Sequence, residues 1–182
     1  MHPSGPVESN TAMSITDSAA PRSSGRRYSP FTLALDLYRY GLCVLPCPHR
    51  SDSGKSPKGA VRGHGTWEKP PSPAQVKSWA QQWNDNNPAN IGIVTGLSGV
   101  TVVDVDDPAL VAEMIARCGD TPLKVRTPRG GVHLYYLASG EREFNGLDGL
   151  KVDVKAGSGL IIVPPSYNSS TGQPYEFLAG SW

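Results

Sequence analysis

Residues 99–108 read Gly99-Val100-Thr101-Val102-Val103-Asp104-Val105-Asp106-Asp107-Pro108, a β-branched run that ends in three acids and a proline. Residues i and i+2 of a strand face the same way, so Asp104 and Asp106 project together while Val103 and Val105 pack behind them. Two carboxylates roughly 7 Å apart along a strand could cradle a divalent metal. A strand that runs into a solvated acidic turn would look the same, so the segment needs support from the rest of the chain. Asp107 has a structural task of its own, because Asp107-Pro108 is an N-cap followed by proline at the first helical position.

Around this stretch the chain reads as alternating helical and extended segments. Ser29-Pro30 opens a helix of about three turns, with Leu33, Ala34, Leu37 and Tyr40 at helical spacing up to Gly41. Leu42–Leu45 is a short buried strand, and 48–71 is a long loop rich in Gly, Pro and Lys. Loops of that length inside a compact domain are usually functional or disordered. Ser72-Pro73 repeats the helix start, with Val76, Trp79, Ala80 and Trp83 on the apolar face; the spacing marks the tryptophans as core rather than a base-stacking platform. Ile91–Thr95 and Val100–Asp106 are strands joined by the turn 96–99, and a third helix carries Leu110, Val111, Met114 and Ile115. Lys124–Thr127, Val132–Leu137, Leu150–Val154 and Leu160–Val163 supply further strands, with Tyr175–Phe177 as a last edge. Helices and strands mix without strict βαβ alternation, which favours an α+β fold with a mixed or antiparallel sheet.

Composition narrows the classes. The 182 residues suit one domain, expected over 28–182, with 1–27 as a Ser/Pro/Gly-rich disordered tail that lacks the apolar stretch of a signal peptide. No run approaches a membrane span, so a soluble, cytoplasmic protein is expected. A formal net charge of +1 argues against coating nucleic acid by bulk electrostatics, while leaving room for a local basic groove. The cysteines number three (Cys43, Cys47, Cys118) and form no CxxC pair, which argues against a secreted disulfide framework and for a reducing compartment. Cys43-x3-Cys47-x-His49 could be part of a zinc site, but no fourth ligand is evident and buried small hydrophobes are the default. Gly54-Lys55-Ser56 resembles the end of a P-loop, yet His49 stands where its first glycine belongs. An EF-hand fails too, for want of the loop glycine and terminal Glu after Asp104-Val105-Asp106.

Two further strands offer polar faces. Thr127-Pro128-Arg129-Gly130-Gly131 precedes Val132-His133-Leu134-Tyr135-Tyr136, which displays His133 just after a turn whose glycines could let amides approach a phosphate, with Arg129 as an added donor. In Lys151-Val152-Asp153-Val154-Lys155, alternation places Lys151, Asp153 and Lys155 on one face. Three carboxylates, a histidine and flanking cations suit phosphoryl transfer with divalent metals: the acids hold the ions, while His133 and the lysines neutralise a triphosphate. Arg50, Lys55, Lys58, Arg62 and Lys69 in the long loop could follow the phosphate backbone of a template.

These residues resemble the bifunctional primase–polymerase domains of plasmid, phage and integrated-element replication proteins, within the archaeo-eukaryotic primase superfamily. The resemblance runs from Ser29 to Phe177 and rests on NIGIVTG followed by VTVVDVDDP, on TPRGGVHLYY, on GLKVDVKAGSGLIIVPPS, and on the entry region from Gly41 to Lys58 with GKSPKG. It implies a catalytic core related to the RNA-recognition-motif sheet, packed with a second α/β unit. By the same resemblance Asp104, Asp106 and Asp153 are the metal-binding acids, for Mg²⁺ or Mn²⁺, and His133 is the nucleotide-contacting histidine. The expected partners are nucleoside triphosphates, a single-stranded DNA template with its primer, and a helicase module in the same or a neighbouring polypeptide. The leading reading is therefore a template-dependent nucleotidyltransferase. A non-catalytic DNA-binding initiator module and a metal-dependent nuclease are the alternatives, the latter because two-metal carboxylate sites also hydrolyse phosphodiesters.

Overall fold

The computed structural model describes residues 29–48, 61–168 and 171–182. The expected tail, His49 and the loop cations Arg50, Lys55 and Lys58 lie outside the described residues. Among the described residues three α-helices, α1 (Ala34–Arg39), α2 (Pro73–Gln82) and α3 (Val111–Cys118), accompany eight strands. These are β1 (Val44–Pro48), β2 (Ala89–Val94), β3 (Val100–Val105), β4 (Leu123–Arg126), β5 (Val132–Leu137), β6 (Val152–Lys155), β7 (Leu160–Val163) and β8 (Glu176–Ala179). They form a three-stranded sheet, β1-β2-β7, and a five-stranded sheet, β6-β3-β5-β4-β8, with antiparallel pairing throughout. The architecture is α+β. Among the described residues no helix is long and apolar enough to cross a membrane.

Strand alternation sorts the core. Val103 and Val105 of β3 face outward with Leu134 and Val152 and are covered by Met114 of α3, while Val102, Val125 and Tyr135 face inward and join Ile91, Ile93 and Ile161 of the smaller sheet. Helices α1 and α2 pack on each other and on β1, adding Leu37 and Val76 to the same cluster, which Phe31 of the 3₁₀ turn before α1 also joins. Each fully buried Leu, Ile, Phe or Val contributes about 1.5–3 kcal/mol of transfer free energy. Trp79 and Trp83 pack against this core, as their helical spacing predicts.

Local signals set several boundaries and tertiary ones shift others. Asp107 caps the turn before α3, accepting from the Ala109 N–H at 3.0 Å, and Ser72 caps α2 through the Gln75 N–H at 3.2 Å. Ser29 departs from its expected role. Its hydroxyl leaves the helix end uncapped, donating instead to the Trp83 carbonyl at 2.9 Å and accepting from the Ala89 N–H at 3.1 Å. The first helix is accordingly shorter than three turns: a 3₁₀ turn at Pro30–Leu33 leads into α1. Strand β1 runs on through Pro46 and Pro48, beyond the predicted Leu45, because it is an edge strand and a missing outward N–H costs no ladder bond there. β2 and β3, consecutive in sequence, enter different sheets, since the N–H groups of Thr95 and Gly96 turn aside to the carbonyls of Gly159 and Gly157. Cys43 and Cys47 are both buried. Burial pushes the Cys43 thiol up to about 11.

Candidate active site

The register of the larger sheet assembles the acids. Asp104 on β3 faces His133 of β5 on one side and Asp153 of β6 on the other. Asp106 lies two residues on from Asp104, just past the end of β3. All four line one cavity of about 390 Å³ between the two sheets, within the roughly 300–1,000 Å³ usual for small-molecule sites.

The polar groups are unevenly satisfied. His133, nearly fully buried, brings Nε2 to 3.4 Å from Asp104 Oδ1. That is too long for a good hydrogen bond, and among the described residues Asp104 Oδ1 and His133 Nδ1 are buried without hydrogen-bond partners. The ring is flanked by Tyr135 at 6.2 Å and Tyr175 at 5.8 Å between centroids. Asp153 is better held: Oδ1 accepts from the Gly146 N–H at 2.9 Å and Oδ2 from Lys155 Nζ at 2.8 Å. Lys155, buried, also donates to Asn145 Oδ1 at 3.0 Å.

Asp106 reaches solvent at the cavity edge, yet its carboxyl lies above the ordinary aspartate range. Partial burial raises it most, then the charges of Asp104 and Asp153, while Arg129 and His133 pull it down. A crowded, partly desolvated pair of carboxylates of which one has an unpartnered buried oxygen is a donor set that fits a divalent cation. No trio of His, Cys, Asp and Glu side chains stands at ligating spacing among the described residues. Both oxygens of Asp153 accept protein donors.

Of the predicted cations, Arg129 and Lys155 line the cavity. Lys151 is exposed and is not among the cavity-lining residues; its backbone carbonyl accepts the Asp106 N–H. In the β4–β5 turn one glycine amide is engaged within the turn and the other glycine is tightly packed. Gly130, at φ +89°, gives its N–H to Thr127. A Cβ on Gly131 would meet the Val105 carbonyl oxygen at 2.5 Å. The turn is thus closed on itself and pressed against β3, and it lines the cavity with Thr127, Pro128 and Arg129.

Sequence reading missed the opposite wall, formed by Cys47, Asn90, Leu160, Tyr167 and Tyr175. No spacing rule links these positions to the acids; only the faint signal of two tyrosines flanking a Gly/Pro-rich loop was available. Burial and then the Asp104 charge push the Tyr175 hydroxyl up to about 12, so it remains a hydrogen-bond donor.

Comparison with known protein families matches residues 34–181 to the model for the bifunctional DNA primase/polymerase, N-terminal domain (Prim-Pol). The chain belongs to this family. The match covers both sheets, all three helices and every residue of the acidic wall. Membership in Prim-Pol supports DNA primase/polymerase activity in general, with DNA and nucleoside triphosphates as partners, in a family that is generally metal-dependent. No curated protein matches the chain by sequence.

Proposed function

We propose that the cavity is the active site of a template-dependent nucleotidyltransferase that makes primers, extends them, or does both on single-stranded DNA, in the replication of a plasmid, phage or integrated element. The observation that carries this reading is the row Asp153, Asp104, His133 across three neighbouring strands, with Asp106 beside it, on the wall of one cavity. Asp104 and Asp106 would hold Mg²⁺ or Mn²⁺, with Asp153 extending the same negative wall. Two such ions supply activation of a 3′-hydroxyl and neutralisation of the departing pyrophosphate. The protein's own part is to crowd the carboxylates so that a cation is favoured, and to place Arg129 and His133 where a triphosphate meets donors beside them. Lys155 orients Asp153 through its 2.8 Å contact to Oδ2. Arg62 and Lys69, exposed beyond β1, are cations available to a template backbone.

The test is incubation with a single-stranded template, Mg²⁺ or Mn²⁺ and labelled nucleotides. The reading expects growth of the labelled strand. Unchanged strands favour a DNA-binding initiator module, and shortened strands a nuclease.

A further inference from the structure

The cavity has two chemically unlike walls. Among the described residues every acidic or basic side chain that lines it, the three acids together with Arg129, His133 and Lys155, comes from the five-stranded sheet or its β4–β5 turn. The lining from the three-stranded sheet and the segment after β7 is uncharged.

That uncharged wall is built by specific hydrogen bonds. The Asn90 side chain makes both strand-like bonds to Tyr167, Nδ2 donating to its carbonyl at 2.8 Å and Oδ1 accepting from its N–H at 3.2 Å. Next to it, the fully buried Ser166 accepts the Ile91 N–H on Oγ at 2.9 Å. The Ser166 carbonyl in turn accepts the Tyr175 N–H at 2.7 Å. Two consecutive residues of β2 therefore anchor Tyr167 and, through Ser166, Tyr175, whose ring lies 5.8 Å from that of His133.

We propose that this uncharged wall takes the nucleoside portion of the substrate, with Tyr167 and Tyr175 as its aromatic contacts and Asn90 as the positioning residue behind them. The assignment rests on the reading of the cavity as a nucleoside triphosphate site and divides it by charge. A triphosphate and its cations belong with the acids, Arg129 and Lys155, where opposite charges meet at short range. Base and sugar carry no charge; what they gain from a protein is ring stacking and neutral hydrogen bonds, which two tyrosines supply and a charged wall does not.

The experiment titrates the full chain, with Mg²⁺ present, against ATP and against inorganic tripolyphosphate. Tyr175→Ala and Asn90→Ala should each weaken ATP roughly tenfold, the loss of one base–aromatic contact, and leave tripolyphosphate affinity unchanged. Tyr175→Phe, which keeps the ring, should restore most of the ATP affinity. A role of Asn90 confined to holding the fold would not separate the two probes. Parallel loss of both probes, or unaltered ATP binding in Tyr175→Ala, overturns the assignment. Tyr175→Ala leaves the Asn90–Tyr167 bonds in place, so the test does not depend on a single variant's folding. Selective loss of ATP binding in a protein that incorporates no nucleotide would sustain this inference while defeating the polymerase reading.

Discussion

Asp104 and Asp153 are register partners on adjacent antiparallel strands, yet a lysine holds Asp153 while the buried Oδ1 of Asp104 has no hydrogen-bond partner among the described residues. The acids of one wall are therefore not equivalent, and their substitutions should separate in stability while converging in activity.

Alanine at Asp104, Asp106 or Asp153 should abolish nucleotide incorporation. In the absence of metal, Asp106→Asn should melt at or above the wild-type temperature at neutral pH, because its ionised form is disfavoured by burial and by two neighbouring acids. Asp153→Asn should melt lower, by about 1.5–3 kcal/mol at most, since it weakens a charge-assisted bond to buried Lys155. Paired thermal melts and primer-extension assays check this. A destabilised Asp106→Asn, or active Asp104→Ala protein, would remove the argument for a metal wall.

His133→Ala should weaken binding of a nucleoside triphosphate and leave binding of the unphosphorylated nucleoside as in wild type. Metal affinity should change much less, because His133 approaches Asp104 as a neighbour at 3.4 Å and Asp104 and Asp106 remain. Calorimetric titration of triphosphate, nucleoside and Mn²⁺ against both proteins reads all three. Equal triphosphate affinity would take His133 out of the nucleotide site.

Asp107→Ala should act on the fold. Its side chain accepts the Ala109 N–H, and loss of an N-cap costs about 0.5–2 kcal/mol. Chemical denaturation should show that loss, with incorporation at saturating metal close to wild type. Lost activity at unchanged stability would move Asp107 into the metal site.

Glu141 gives a pH dependence away from the cavity. Donation from Ser139 Oγ, from the Ser139 N–H at 2.9 Å and from Thr101 Oγ1 at 2.7 Å holds its carboxyl well below the ordinary range, at about 2. A depressed carboxyl stabilises the fold above the unfolded glutamate value, and that contribution is lost as pH falls toward about 2. Glu141→Gln should therefore melt below wild type at pH 7, with the gap narrowing under acid. A gap that stays constant or widens on acidification contradicts the assignment.

Much of this was legible in the residues alone. Period-two alternation put Asp104 and Asp106 on one face and Val103 and Val105 on the other, and the structure places the valines under α3. The caps at Ser72 and Asp107 were readable because their partners lie only two or three residues away. Ser29 carried the same signal and misled, because its partner Ala89 is 60 residues distant and local sequence is silent about it.

Local chemistry determined which side chains share a strand face, where helices begin, and that three strands each carried a polar group suited to phosphate and metal. Tertiary structure alone decided that Asp104 stands between His133 and Asp153, that Lys155 turns inward while Lys151 does not reach the cavity, and that Asn90, Tyr167 and Tyr175 close the cavity from the far side. The division has a physical cause. Alternation and capping follow from the geometry of neighbouring peptide units, whereas strand register and the packing of one sheet on another are settled by burial summed over residues far apart in the chain.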